Sequence, residues 1–152
     1  MDVGIRRATS SDIETIIEFN QSLASETENR QLNDRLLRDG VRTAVEDQSR
    51  CMYFVAEFEN RVVGQLMVTF EWSDWRNGWF WWIQSVYVSH DHRKRGVFRK
   101  LYEFVRTEGQ KADDCCGIRL YVEKENNVAQ NAYTNLGMAS PGYLVLEEDW
   151  AK

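Results

Sequence analysis

One proline and nine glycines in 152 residues leave no material for a flexible or proline-rich linker, and no low-complexity tract or repeated unit interrupts the chain. Three cysteines, Cys51, Cys115 and Cys116, form neither a CxxC pair nor a cysteine/histidine metal spacing. Their odd number speaks against a disulfide framework or a structural zinc site and leaves free thiols. No apolar run approaches the ~20 residues of a membrane span, and the opening MDVGIRRATSSD lacks the apolar core of a signal peptide. These absences predict a cytoplasmic protein with no membrane partner. Positive charge is short as well: 19 Lys and Arg against 24 Asp and Glu give −5, the wrong sign for a dedicated nucleic-acid binder. What remains, 43% hydrophobic and 28% charged, is the composition of one globular domain over residues 1–152, long enough for a sizeable core.

The charge is unevenly spread. Between Ser89 and Lys111 stand seven basic residues and three acidic ones, a local +4 that leaves the rest of the chain at −9. A compact basic segment in an acidic protein points to a small polyanion rather than a nucleic-acid track. His90 and His92 lie two apart in this segment, where a solvated loop is expected and no metal.

Periodicity predicts the elements. Val3 to Ala8 reads as a strand. Ser11-Asp-Ile-Glu14 has capping-box spacing and opens a helix with Ile13, Ile16, Ile17, Asn20, Leu23 and Ala24 on one side, which Ser25 to Arg30 breaks. A second helix begins near Asn33 and carries Leu36, Leu37, Val41, Ala44 and Val45. Met52–Phe58 and Val62–Phe70 read as strands joined by a tight hairpin at Glu59-Asn60-Arg61, and Trp79–Val88 as a third pairing with the second. Val97, Leu101, Tyr102 and Val105 mark a helix, Ile118–Val122 a strand, and Ala129, Ala132, Tyr133 and Leu136 a helix that Gly137 can end. Tyr143–Leu146 is expected as a last strand. The order βααβββαβαβ describes an α/β fold, a mixed sheet with helices on its faces.

The run from Ser85 to Leu101 carries the most chemistry. A strand leads into a basic turn, Gly96 can adopt a backbone conformation closed to other residues, and a helix starts at once. The first N–H groups of a helix and its dipole form an anion site, to which Arg93, Arg95 and Arg99 add charge, so a phosphate-bearing ligand suits it. A solvated basic face on an ordinary helix is the alternative.

Arg93-Lys-Arg-Gly96-Val-Phe98 resembles the loop Q/R-x-x-G-x-G/A of the GNAT superfamily, the acetyl-coenzyme A-dependent N-acyltransferases. It departs at the sixth position, where Phe98 replaces a small residue. Asn126-Asn-Val-Ala129-Gln-Asn-Ala-Tyr133-Thr-Asn-Leu136-Gly137-Met138 matches a second family pattern, N-x-x-A-x-x-x-Y-x-x-L-G-F/M, one helix and one strand downstream. The order of elements agrees with the family fold over nearly the whole chain. The resemblance implies acetyl-coenzyme A as co-substrate and a GNAT-like fold. The residues it implies for the coenzyme are Val86 and Val88 through their backbone at the pantetheine, the Arg93–Lys100 stretch with Arg93, Arg95, Gly96, Val97, Phe98 and Arg99 at the phosphates, and Asn126 and Tyr133. It makes Tyr133 the acid that protonates the departing thiolate; the alternative is a core aromatic at helical spacing. It also implies an oxyanion donor among the backbone N–H groups near Val86. Many family members carry Glu where this chain has Gln84, which cannot take a proton as a carboxylate does.

A base must therefore come from elsewhere or from ordered water, and Glu71, between Phe70 and Trp72, is the candidate, in a setting expected to raise its pKa; an edge residue in water is the alternative. Five tryptophans fall at 72, 75, 79, 81 and 82, and by alternation half should pack inward while the rest line an acceptor pocket or a dimer interface. Glu28 and Glu26 between the first two helices, Glu71, Gln84, Trp72 and Trp75 together predict a site for a cationic primary amine, borne by a small molecule or a protein. An N-acetyltransferase, with a homodimer possible, is the leading expectation. A coenzyme A-binding regulatory module without turnover and a nucleic-acid-binding domain are the competing ones.

Overall fold

The computed structural model describes residues 1–151. Strand β1 (Gly4–Arg7) is followed by a 3-10 turn, helices α1 (Ile13–Glu28) and α2 (Asp34–Glu46), and strands β2 (Cys51–Phe58), β3 (Arg61–Ser73) and β4 (Gly78–Val88). Helix α3 (Val97–Lys111), strand β5 (Cys115–Leu120) and helix α4 (Asn127–Asn135) complete the order. The sheet runs β1-β2-β3-β4-β5, antiparallel throughout except for the parallel pair β4 and β5. This is the mixed α/β architecture expected. Two compact units make up the chain: Met1–Leu120, which contains the whole sheet, and the residues from Tyr121 onward.

Strand alternation sorts the sheet's side chains onto two faces. On one, Tyr53 and Val55 join Ile16 and Ile17 of α1 and Val41 of α2 in a buried cluster against which Met67 packs. On the other, Leu66, Val68, Trp81 and Ile83 are buried, and α3 contributes Val97, Leu101 and Val105. A Cβ on Gly64 would lie 3.0 Å from a Val97 methyl, so the missing side chain is what lets α3 lie close to β3. Each fully buried aliphatic side chain contributes roughly 1.5–3 kcal/mol of transfer free energy. The β2–β3 hairpin turns at Glu59 and Asn60, both with positive φ (49° and 62°), as a two-residue turn matched to strand twist requires.

The elements differ from the sequence expectation at several points. Helix α1 runs on through Ser25 to Glu28 and stops at Asn29, which takes a left-handed φ of 48°. Strand β5 starts three residues early, because its register on β4 opens at Cys115 opposite Trp79, next to a 2.7 Å bond from the Trp79 N–H to the Asp114 carbonyl. Tyr143–Leu146 forms no strand: the segment has no ladder partner among the described residues and its side chains stand 65–91% exposed. β propensity by itself supplies neither the ladder nor the burial that stabilise a strand.

An ionic clamp ties β1 to the start of α1. The Arg6 guanidinium meets Asp12 in a two-pronged contact (2.7 and 3.0 Å) and Glu57 of β2 at 2.9 Å, and the Asp12 carboxylate also accepts from the Thr9 N–H at 2.8 Å. Burial alone would push the Asp12 carboxyl up, but the bonds from Arg6 and Thr9 outweigh it and hold it below its ordinary value of 3.8. A depressed carboxyl contributes stability that is complete above its unfolded value and lost as pH falls through the lower folded one. Asp12→Ala should therefore destabilise the fold by about 2 kcal/mol at neutral pH. Urea titrations should show the difference from the parent shrinking as pH falls below the ordinary carboxylate range; an undiminished gap there would show that charge is not its source.

Candidate active site

The parallel ladder between β4 and β5 ends at Ile83 opposite Leu120. From Gln84 to Val88, β4 is paired only with β3 among the described residues, so its other edge carries backbone N–H and C=O groups that β5 does not meet. Within that stretch the β3 ladder steps from Met67↔Gln84 to Gln65↔Tyr87, so Leu66 faces both Ser85 and Val86. This is a β-bulge, and Ser85 sits in it with φ +52°.

The strand runs straight into the basic turn. Gly96 caps α3 with φ +80°, and the first intrahelical bond is donated by Lys100 to the Gly96 carbonyl, so the N–H groups of the turn before Lys100 lie outside the helical ladder. No side chain caps this end and its first turn contains no acid. A Cβ at Gly96 would meet no atom within 4 Å, so the glycine is required here by its dihedral and not by crowding. Donors facing outward, with no protein carboxylate among them, fit a diphosphate.

The arginines behave differently from one another. Arg93 donates to the Val88 carbonyl (2.9 Å) and pairs with Glu26 at the end of α1 (2.8 Å), with its guanidinium 5.2 Å from the centre of the Tyr87 ring. Tyr87 donates to the other Glu26 oxygen at 2.6 Å. The Tyr87 hydroxyl and Arg93 hold the Glu26 carboxyl below the usual range, while burial and that same carboxylate push the Tyr87 phenol up. Arg99 pairs with Glu103 along α3, whereas Arg95 is exposed. His92 bonds the Ser89 hydroxyl through Nδ1, and His90 is exposed.

Glu71 does not have the apolar surroundings expected of it. Alternation sends Phe70 and Trp72 to the opposite face, where Trp72 packs edge-on to Trp79 at 4.9 Å. Glu71 is exposed, and its Oε1 accepts from Arg119 of β5 at 2.7 Å and from the Trp82 indole at 3.3 Å. Arg119 in turn lies 3.7 Å over the Phe80 ring. Gln84 shares this face and donates to the Thr69 hydroxyl at 2.6 Å. Glu71, Trp82 and Gln84 are thus brought together, Trp72 is not, and Trp75 stands 86% exposed in the β3–β4 turn. Glu28 is exposed on the last turn of α1, and it is Glu26 that the fold engages.

The profile of the acetyltransferase (GNAT) family matches residues 13–138. The chain belongs to that family. A solved structure of a possible acetyltransferase from Clostridium difficile 630 is 41% identical and superposes with a TM-score of 0.92, covering 99% of both chains. The streptothricin acetyltransferase of Escherichia coli is 29% identical over 97 residues, 64% of this chain and 51% of that protein, so the chain spans about half the length of the curated relative it matches. An aminoglycoside acetyltransferase from an uncultured soil metagenomic sample, solved with sisomicin, shares the fold at 16% identity, with a TM-score of 0.75 over 99% of this chain and 97% of that one. The enzyme class of this GNAT chain is that of its family, acyl transfer.

In the second unit of this GNAT protein, the Asn126 carboxamide caps α4 by accepting from the Ala129 N–H at 3.0 Å, so its oxygen serves the helix. Gly137, with φ +99°, ends the helix: Met138 donates to the Tyr133 carbonyl and Gly137 to that of Thr134. Tyr133 is half-buried, and burial pushes its phenol up. Sequence reasoning passed over Gln65, Ser85, Tyr87 and Arg119. For Gln65 there was a signal, a lone carboxamide inside the apolar run Val62–Val68, and for Asn20 another, an amide on the isoleucine side of α1. Arg119 becomes a partner of Glu71 only through the parallel register, which no local pattern encodes.

Proposed function

We propose that this protein is an N-acetyltransferase that moves the acetyl group of acetyl-coenzyme A to a cationic primary amine. The observation that carries the reading is the continuity of the open edge of β4 with the uncapped, positive-φ start of α3. An edge without a strand beside it suits the amides of a pantetheine arm, by way of Val86 and Val88, and the helix start suits a diphosphate, by way of Gly96, Val97, Phe98 and Arg99. Arg95 adds charge there. Arg93 adds it less directly, since Glu26 already pairs with its guanidinium. Asn126 joins the coenzyme contacts on the family resemblance alone.

In the reaction the neutral amine nitrogen attacks the thioester carbonyl carbon and gives up a proton as the amide forms, the carbon–sulfur bond breaks, and the thiolate takes a proton. The family pattern gives that last part to Tyr133, whose raised pKa keeps the phenol protonated at neutral pH. The incoming ammonium must first lose a proton. Glu71 is the carboxylate proposed to bind it and relay the proton, through Oε2, since Oε1 is held by Arg119 and Trp82. Gln84, Trp72, Trp75 and Glu28 complete the proposed acceptor side as contacts. The names of the streptothricin and aminoglycoside acetyltransferases support a cationic amine. Free thiols at Cys51, Cys115 and Cys116 suit a reducing compartment, so a cytoplasmic location belongs to the same reading. A homodimer does too: no described residue from Tyr121 onward is buried, and Val128, Leu144, Leu146 and Trp150 are exposed apolar surface that wants cover.

Calorimetric titration with acetyl-coenzyme A tests the donor. Gly96→Asn, which tolerates a left-handed backbone, should keep the affinity within a few-fold, whereas Gly96→Val should lower it about 10-fold or more. Equal binding by both variants would remove the loop from the site. With a panel of amines the wild type should favour cationic acceptors over neutral ones. Tyr133→Phe should lower kcat about 100-fold at unchanged KM, and Glu71→Gln should raise the amine KM about 10-fold, lower kcat about 100-fold and flatten the acidic limb of the pH–rate profile. Coenzyme binding without transfer to any amine would mark a binding module instead. Light scattering at micromolar concentration should give twice the chain mass, and the mass of one chain would dismiss the dimer.

A further inference from the structure

Beneath β4 lies a set of polar side chains sealed from solvent. Gln65 of β3 is 0% exposed; its Nε2 donates to the Ser85 carbonyl at 3.0 Å and reaches Asn20 Oδ1 at 3.4 Å, and Asn20 Nδ2 donates to the Tyr53 hydroxyl at 3.1 Å. Asn20 and Tyr53 are themselves buried. Gln65 Oε1 has no donor among the described residues. A carboxamide with an unmatched buried acceptor costs free energy that a methionine of similar size would not. Packing therefore gives no reason for Gln65, and its one short bond holds the carbonyl of Ser85.

That carbonyl belongs to the bulge, where Ser85 is kept at φ +52°, a conformation a serine enters only at a cost. None of the peptide bonds is cis, so the planar 85–86 peptide points its C=O and N–H in opposite directions. With the Ser85 carbonyl turned to Gln65, the Val86 N–H is turned away from the buried amides, on the stretch of β4 beyond its last pair with β5.

We propose that Gln65, braced by Asn20 and Tyr53, is a positioning residue for acyl transfer: it fixes the Ser85–Val86 peptide so that the Val86 N–H is aimed at the thioester oxygen. The inference rests on the N-acetyltransferase reading and adds to it the group that aims the donor. A donor held in advance stabilises charge developing on that oxygen without reorganisation, so its effect falls on kcat more than on ground-state binding.

The test uses the full chain labelled with ¹⁵N and acetonyl-coenzyme A, a ketone analogue that keeps a carbonyl but cannot transfer it. In the wild type the Val86 amide resonance should move on titration. In Gln65→Met that movement should be lost while the analogue's Kd stays within about 3-fold, kcat falls about 100-fold with KM for acetyl-coenzyme A unchanged, and Tm is equal or higher. Gln65→Asn, too short to reach Ser85, should behave as Gln65→Met does and serves if the methionine variant does not fold. The proposal is overturned if the Val86 resonance moves alike in wild type and variant, if kcat is unchanged, if kcat, affinity and Tm fall together, or if neither variant folds. A wild type that transfers acetyl to no amine, yet shows the Val86 movement and its loss in the variant, would sink the catalytic reading and leave the role of Gln65 standing.

Discussion

Backbone hydrogen-bonding groups must find partners, and beyond Ile83 the outer edge of β4 has none in β5. Leu120 is the last residue of β5, so the ladder stops before β4 reaches the basic turn. The sheet thereby keeps a short length of strand edge in reserve beside the start of a helix. On the other side of the same strand the ladder to β3 is intact but for one inserted residue, and the buried amides of Asn20 and Gln65 stand at that insertion.

The charges around the turn are arranged to hold the protein together as much as to meet an anion. Glu26 joins the end of α1 to Tyr87 of β4 and to Arg93 of the turn, so one carboxylate links α1 to a stretch 61 to 67 residues further along the chain. Arg99 is matched by Glu103 along its own helix. The local excess of positive charge is thus smaller at the atoms than in the count of residues, and under the proposed reading the backbone donors of the helix start would carry correspondingly more of the attraction for an anion.

Much of this was legible beforehand. Isoleucines at helical spacing marked α1, branched and aromatic runs marked β2 to β4, and the Gly96 turn announced a strand-to-helix junction, because each signal is local and repeats with the period of its element. Relations set by register were not legible. Glu71 was expected among tryptophans because Phe70 and Trp72 flank it, but neighbours along a strand face opposite sides, and its partner, Arg119, comes from a parallel strand nearly fifty residues away. Tyr143–Leu146 has the composition of a strand, yet composition does not supply a ladder. Ser85 gave no sign of a left-handed backbone, since nothing in a serine asks for one; it sits in the bulge, where Gln65 of the neighbouring strand bonds its carbonyl.

The inserted residue also reverses the numbering of the strand's two faces. Phe80, Trp82 and Gln84 lie on the same face as Glu71 and Thr69, but past the bulge it is Tyr87 that stands opposite Gln65 on that face, and Val88 opposite Gly64 on the other. Saturation libraries meant to vary this one face of β4 must follow even positions up to 84 and odd positions beyond the bulge. A library spaced by strict alternation through the strand would cross halfway from the α1 face to the one packed against α3.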